Sequence, residues 1–143
     1  MIGKKFILTS DFFEGQIIYT FTINGNLKNI DWDYESVKDK NTLNFFYVNI
    51  PKNVEYITKW VNTKTDKFFV QEIPTDLSFD RFWSDYDYKV GKKKMAESCW
   101  KKMTTEDKVK ALLYISKLKD IKRKEGSDMP YPTTYLNQRY FDV

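Results

Sequence analysis

The chain of 143 residues contains no histidine and one cysteine, Cys99. That excludes an internal disulfide and any His/Cys ligand set of the kind that holds zinc. Without imidazole, a general base near neutral pH would have to be a carboxylate or lysine shifted far from its ordinary pKa. No phosphate-binding loop, dinucleotide fingerprint or diagnostic pair of acid–base groups compensates. An enzyme is therefore not expected, and metal-dependent nuclease chemistry from Asp and Glu alone is the one catalytic route left open. No cofactor and no metal site are expected. Cys99 sits in an apolar stripe with no base to activate it and reads as a small core residue. Asp31 and Asp33, two apart on a strand with Glu35 beyond, read as a polar strand face rather than a cation site.

Long apolar runs are also missing. None approaches the roughly 20 residues a membrane helix needs. Met1-Ile2-Gly3-Lys4-Lys5 is followed by a short apolar run broken by Asp11, which does not make a signal peptide. The chain is expected to be soluble and cytoplasmic (the host cytoplasm if it is viral), with no membrane partner.

What the chain has in quantity is aromatic rings, 17% of residues, so a compact core is available despite a modest aliphatic content. It also carries an uneven charge. Residues 1–75 hold 9 Lys/Arg against 9 Asp/Glu, and residues 76–143 hold 15 against 11. Within 89–124 the ratio is 13 to 4. A basic block beside a neutral one suggests a polyanion or an acidic surface as partner. A solvated lysine-rich helix face accounts for the same count.

The two halves read differently, as a β-sheet region over 1–75 and a basic helical region over 76–143, with one shared core left open. In the first, residues 4–10 form a strand, and Ile17, Tyr19, Phe21 and Ile23 alternate along a second. Asn24-Gly25 predicts a type I′ hairpin turn into a third strand bearing Ile30, Trp32 and Tyr34. Residues 35–41 are expected as a loop and Leu43–Ile50 as a strand. Over 52–62, Val54, Ile57 and Val61 fit a helix, but the β-branched and aromatic content favours a strand. A turn over 62–66 and a strand over 67–73 follow. The expectation is a meander of five or six antiparallel strands, curled towards a half-barrel.

The second half predicts three helices and a clasp, which makes the whole chain α+β. Phe79, Phe82, Trp83 and Tyr86 share one helical face, capped by Asp76 or Ser78. Gly91 breaks the chain before a helix over 92–103. Thr104 caps a third helix that runs to Lys124 and stops at Gly126. Pro130 and Pro132 lead into one helical turn, capped by Thr133 or Thr134, whose tyrosines are expected to pack on Trp83 and Trp100.

The spacing Phe79, Phe82, Trp83, Tyr86, Lys89, Lys93, Ala96, Trp100, closed by Pro-x-Pro-x-Thr-Tyr-Leu-Asn at 130–137, resembles the C-terminal module of phage and prophage replication proteins of the replisome-organiser or helicase-loader type. Asp87 stands where that family commonly has proline, and Tyr140 where it commonly has tryptophan. The resemblance implies a non-catalytic protein that binds DNA or a DNA-bound partner and helps recruit a helicase in replication. The residues predict an accessory protein that binds nucleic acid, DNA or RNA, or a nucleoprotein complex, and the resemblance implies a phage or mobile-element origin. Its phosphate contacts would come from Lys92, Lys93, Lys94, Lys101, Lys102, Lys122, Arg123, Lys124 and Arg139, brought onto one surface if the second and third helices pack antiparallel. Tyr131 and Tyr135 are the candidate partner-binding rings. The alternative is a phage-encoded inhibitor of a host machine, such as an anti-CRISPR protein acting by protein–protein or guide-RNA binding; a virion component is a third. The oligomeric state is left open.

Overall fold

The computed structural model describes residues 2–63, 65 and 67–142. Met1, Lys64, Asp66 and Val143 lie outside the described residues, and with them part of the turn expected over 62–66. The class is α+β, with a four-stranded antiparallel sheet and six helices among the described residues. The chain divides into two compact units, Met1–Ile73 and Pro74–Val143, each with its own cluster of buried side chains.

In the first unit, β1 (Ile2–Thr9), β2 (Glu14–Thr22) and β3 (Leu27–Glu35) form the meander. β4 (Phe69–Glu72) pairs antiparallel with β1, which gives the order β3-β2-β1-β4. Ile17, Tyr19 and Phe21 alternate along β2 and are buried with Phe6, Leu8 and Val70 on the same face. Gly15 is needed where β2 meets β3, because a Cβ there would lie 2.3 Å from the Asp33 carbonyl oxygen. The hairpin is not type I′. Gly25 alone of the Asn24-Gly25 pair has positive φ (88°). Its N–H bonds the Thr22 carbonyl, and Thr22 N–H bonds Asn26, so Ile23-Asn24-Gly25 is a three-residue loop closed by a left-handed glycine.

The strands expected over 43–50 and 52–62 are helices, and the half-barrel is instead an open sheet with helices on one face. α1 (Lys40–Val48) and α2 (Val54–Asn62) cover the sheet through Phe46 and Ile57. Capping and period outweigh β propensity here. The Asp39 carboxylate accepts from Asn41 N–H (2.9 Å) and the Thr42 hydroxyl (2.8 Å), and the buried positions Thr42, Leu43 and Phe46 repeat at helical spacing. Asn53 caps α2 by accepting from Tyr56 N–H at 2.9 Å, and the Val54/Ile57 face turns inward.

The second unit contains α3 (Phe79–Tyr86), α4 (Lys93–Lys101), α5 (Thr105–Glu125) and α6 (Pro132–Asn137). Ser78 caps α3, Thr104 caps α5 through Asp107 N–H, and Gly126 ends α5 in the left-handed conformation. α6 starts on Pro132 at its first position, so Thr133 and Thr134 lie inside it and do not cap it. At the centre, Phe82 lies between Trp100 (4.9 Å, 20°) and Tyr135 (6.1 Å, 17°). Tyr135 of the clasp thus stacks on Phe82 and packs at a tilt on Tyr86, not on Trp83 and Trp100 as expected. Each ring with a polar end finds a carbonyl. Trp100 Nε1–H donates to Leu77 (2.9 Å), the Tyr86 hydroxyl to Pro130 (2.5 Å) and the Tyr135 hydroxyl to Ala111 (2.7 Å). Burial pushes the Tyr86 and Tyr135 hydroxyls far above the ordinary phenol pKa, so both remain donors.

Tyr19 in the first unit is as deeply buried, but its hydroxyl has no hydrogen-bond partner among the described residues. The same substitution should therefore act oppositely in the two units. Tyr135→Phe removes a buried hydrogen bond to the Ala111 carbonyl, which keeps its helical partner, and is expected to cost about 1 kcal/mol. Tyr19→Phe removes a buried, unsatisfied polar group and should leave stability unchanged or higher. Urea unfolding of both variants tests this, and an equal loss in both would contradict the assignment of the two hydroxyls.

Candidate nucleic-acid interface

The basic residues of the second unit fall into two sets. In one, the charge is used within the unit. Lys101 pairs with Glu97 (3.8 Å), Lys122 with Glu125 (3.7 Å) and Arg123 with Asp120, all one turn apart on their own helices. Lys119, an inward-reaching lysine, donates to the Asp85 carbonyl at the end of α3 (2.7 Å). Arg139 is the most committed. It follows α6 in the left-handed conformation (φ 51°), bonds both Asp107 oxygens (3.1 and 3.0 Å) and reaches Asp142 through Nε (2.9 Å). It ties the tail to the first turn of α5, and its place among free phosphate-binding groups is corrected accordingly.

Lys92, Lys93, Lys94, Lys102, Lys117 and Lys124 form the other set. None has a carboxylate within ion-pair distance among the described residues, and all are exposed. Lys89, which sequence reasoning left out, belongs with them. Its signal was available as the first lysine of a run interrupted by Val90-Gly91. The antiparallel packing of the second and third helices, expected to gather the lysines, is not the main packing of either helix. α4 packs on α3 and α6, and α5 packs on α3.

Among the described residues of the second unit, segment 89–94 gathers four lysines, Lys89, Lys92, Lys93 and Lys94, without a carboxylate partner. Lys92 is the N-cap of α4, and Lys93 and Lys94 occupy its first turn, with no acidic residue there and no side-chain cap. Cations at a helix N-terminus oppose the helix dipole. The lysines at the end of α5 follow the dipole; these oppose it. Lys93 extends its ammonium over the Trp83 ring, 5.7 Å from the centroid, because it lies one turn before buried Ala96. Gly91 (φ 94°) brings the segment against Tyr131, whose Cδ2 would be 3.5 Å from a Cβ at that position. Tyr131 is half exposed and packs beside Tyr88 (6.3 Å). The fold thus sets Tyr131 against Gly91, between Lys89 and Lys92 in the chain. Tyr135 is fully buried, with its hydroxyl bound to Ala111, and the expectation that it meets a partner is withdrawn.

The Cys99 thiol donates to Asn137 Oδ1 at 3.2 Å, between α4 and α6. Among the described residues, no group of three or more Cys, Asp or Glu is arranged to hold a metal ion, and Gln16 Nε2 bonds Asp33 at 3.0 Å. No described helix is long and apolar enough to cross a membrane.

Comparison with protein families matches residues 74–139, just under half the chain, to the family described as Legionella vir region protein LvrA C-terminal domain. This overturns the resemblance to a phage replication module, since the same residues match a different family. One structural detail agrees with the correction. Asp87 ends α3 at φ 48°, a conformation closed to the proline expected there from the replication module. No curated protein matches the chain, and no solved structure does.

The Arg139 contacts have a pH consequence. Hydrogen bonding from Arg139 holds the Asp107 carboxyl below the ordinary aspartate value. Asp39 and Asp76 are held low as well, by Thr42 and by Ser78 N–H. A folded-state pKa below the unfolded one adds stability above about pH 4, which is lost as pH falls through the folded value. Unfolding midpoints should therefore drop below about pH 4, and Arg139→Gln should flatten that drop while lowering the midpoint at neutral pH. An acid profile identical to the parent's would show that the Arg139–Asp107 contact is not its source.

Proposed function

We propose that this chain is a non-enzymatic nucleic-acid-binding protein that contacts the phosphate backbone through segment 89–94 and the adjoining Tyr131. One observation carries the reading. Four exposed lysines, Lys89, Lys92, Lys93 and Lys94, are gathered without carboxylate partners among the described residues at the helix end that least favours them. A cation kept where intramolecular electrostatics oppose it is explained by an external anion. Lysine on a flexible stem contacts phosphate as a point charge and reads no bases, so the contact is sequence-independent. An exposed tyrosine beside such a cluster adds a ring on which a base or sugar can pack. Lys102 and Lys124 are exposed elsewhere on the unit and contribute general attraction, while the ion-paired Lys101, Lys122 and Arg123 contribute less.

Fluorescence anisotropy with labelled single-stranded DNA, double-stranded DNA and RNA, at roughly 50 and 200 mM salt, tests the proposal. Four phosphate contacts imply about a 100-fold loss of affinity over that range. The triple variant Lys92→Glu, Lys93→Glu, Lys94→Glu should bind at least about tenfold more weakly, with the logarithmic salt slope shallower by about 0.9 per contact removed. Lys122→Glu, outside the segment, should change little. No binding at the lower salt, or affinity independent of salt, would end the proposal.

A further inference from the structure

The helical layer of the first unit carries a partly exposed aromatic group. Trp60 on α2 is half-buried over Tyr19 and Phe46. Around it stand Phe45 of α1 (6.2 Å), Tyr56 of α2 (5.7 Å) and Phe68 (5.7 Å), and Phe45 is stacked on Phe68 at 28°. Phe45 is 43% and Tyr56 37% exposed, well above the core rings of the same unit. Exposed apolar clusters on a small domain mark a binding site more often than chance decoration.

The charge around the rings indicates the occupant. Residues 38–68, counted over the described positions, carry five lysines (38, 40, 52, 59 and 67) against Asp39 and Glu55. Asp39 is occupied in capping α1. Lys59 is one turn from Tyr56 on α2, and Lys67 precedes Phe68. None of these lysines is in an ion pair among the described residues. Asp31 and Asp33 lie on the opposite face of the sheet, since Asp31 pairs with Ile18 and Asp33 with Gln16, out of phase with buried Ile17 and Tyr19. The unit is therefore polarised, with cations and open rings on its helical side and carboxylates on its bare sheet face.

We infer that the ring group of Phe45, Tyr56 and Trp60 is a base-stacking platform for single-stranded nucleic acid, whose phosphates are met by Lys59 and its neighbours. Any base offers a π-face, so such a platform is tolerant of sequence. A duplex keeps its bases stacked internally and cannot use it. The inference rests on the proposed nucleic-acid function and specifies the strand state of the ligand.

The test measures affinity of the full chain for an oligothymidine of roughly 20 nucleotides, longer than the roughly 4–16 that a small binding unit covers, and for a duplex of the same length. Phe45→Ser and Tyr56→Ser should each weaken oligothymidine binding by roughly 5-fold or more. Tyr56→Phe should bind like the parent, because the ring is kept. The salt slope should stay unchanged in the serine variants, because stacking releases no counterions. Duplex binding should be unaffected, and Val48→Ser, at an exposed aliphatic on α1, should be silent. Circular dichroism and unfolding midpoints confirm that each variant is folded. If the serine variants bind oligothymidine like the parent while the Lys92–Lys94 reversal abolishes binding, the platform is overturned and the lysine segment stands. The rings would then serve another occupant, such as an acidic protein segment. Absence of all nucleic-acid binding would overturn both.

Discussion

The second unit depends on the stacking of Phe82 between Trp100 and Tyr135. The three rings come from α3, α4 and α6, so one stacked column joins three of the four helices, and Ala111 of α5 takes the Tyr135 hydroxyl. Large rings supply the buried area that a unit of this size needs, but a tryptophan and two tyrosines each bring a polar atom into the core. The constraint is met by three carbonyls distant in sequence, those of Leu77, Pro130 and Ala111. Because each carbonyl lies on a different segment, satisfying the rings also fixes where the 74–78 approach, the tail and α5 must lie. The lysines and Tyr131 inherit their positions from that arrangement.

The charge distribution is secondary to it. Half of the eight cations of α5 and the tail meet carboxylates: Lys110, Lys122 and Arg123 one turn away, and Arg139 through two that hold the tail down. The densest unpaired group is the short run that opens α4, beside a ring the tail leaves half exposed. The excess of 13 to 4 over residues 89–124 therefore overstates the charge available to a partner. Pairing within the unit decides how much of it is free.

Helix α5 was legible throughout, because Thr104, Gly126 and the apolar positions between them are short-range signals that act on the helix itself. The alternation of Ile17, Tyr19 and Phe21 was legible for the same reason. α1 and α2 were misread because Phe45, Phe46, Tyr47 and Val48 have strand-like chemistry, and the strand reading let the caps at Asp39 and Asn53 pass. That error also hid the ring group of the first unit, since a period of two would place alternate aromatics in the core, whereas a helical period leaves Phe45 outside.

Composition, caps and periodicity in the linear chain were enough to establish an α+β protein with a sheet followed by basic helices, and to bring the lysine run to notice. Which lysines are free, which tyrosine is open and which rings face solvent were not readable there. Those answers rest on contacts such as Arg139 with Asp107, 32 residues apart, and Tyr86 with Pro130, 44 apart. Such pairs compete for their partners only once the chain has folded. A cap or an amphipathic stripe is written within a few residues, but the residual exposure of a side chain is what remains after every distant neighbour has taken its place.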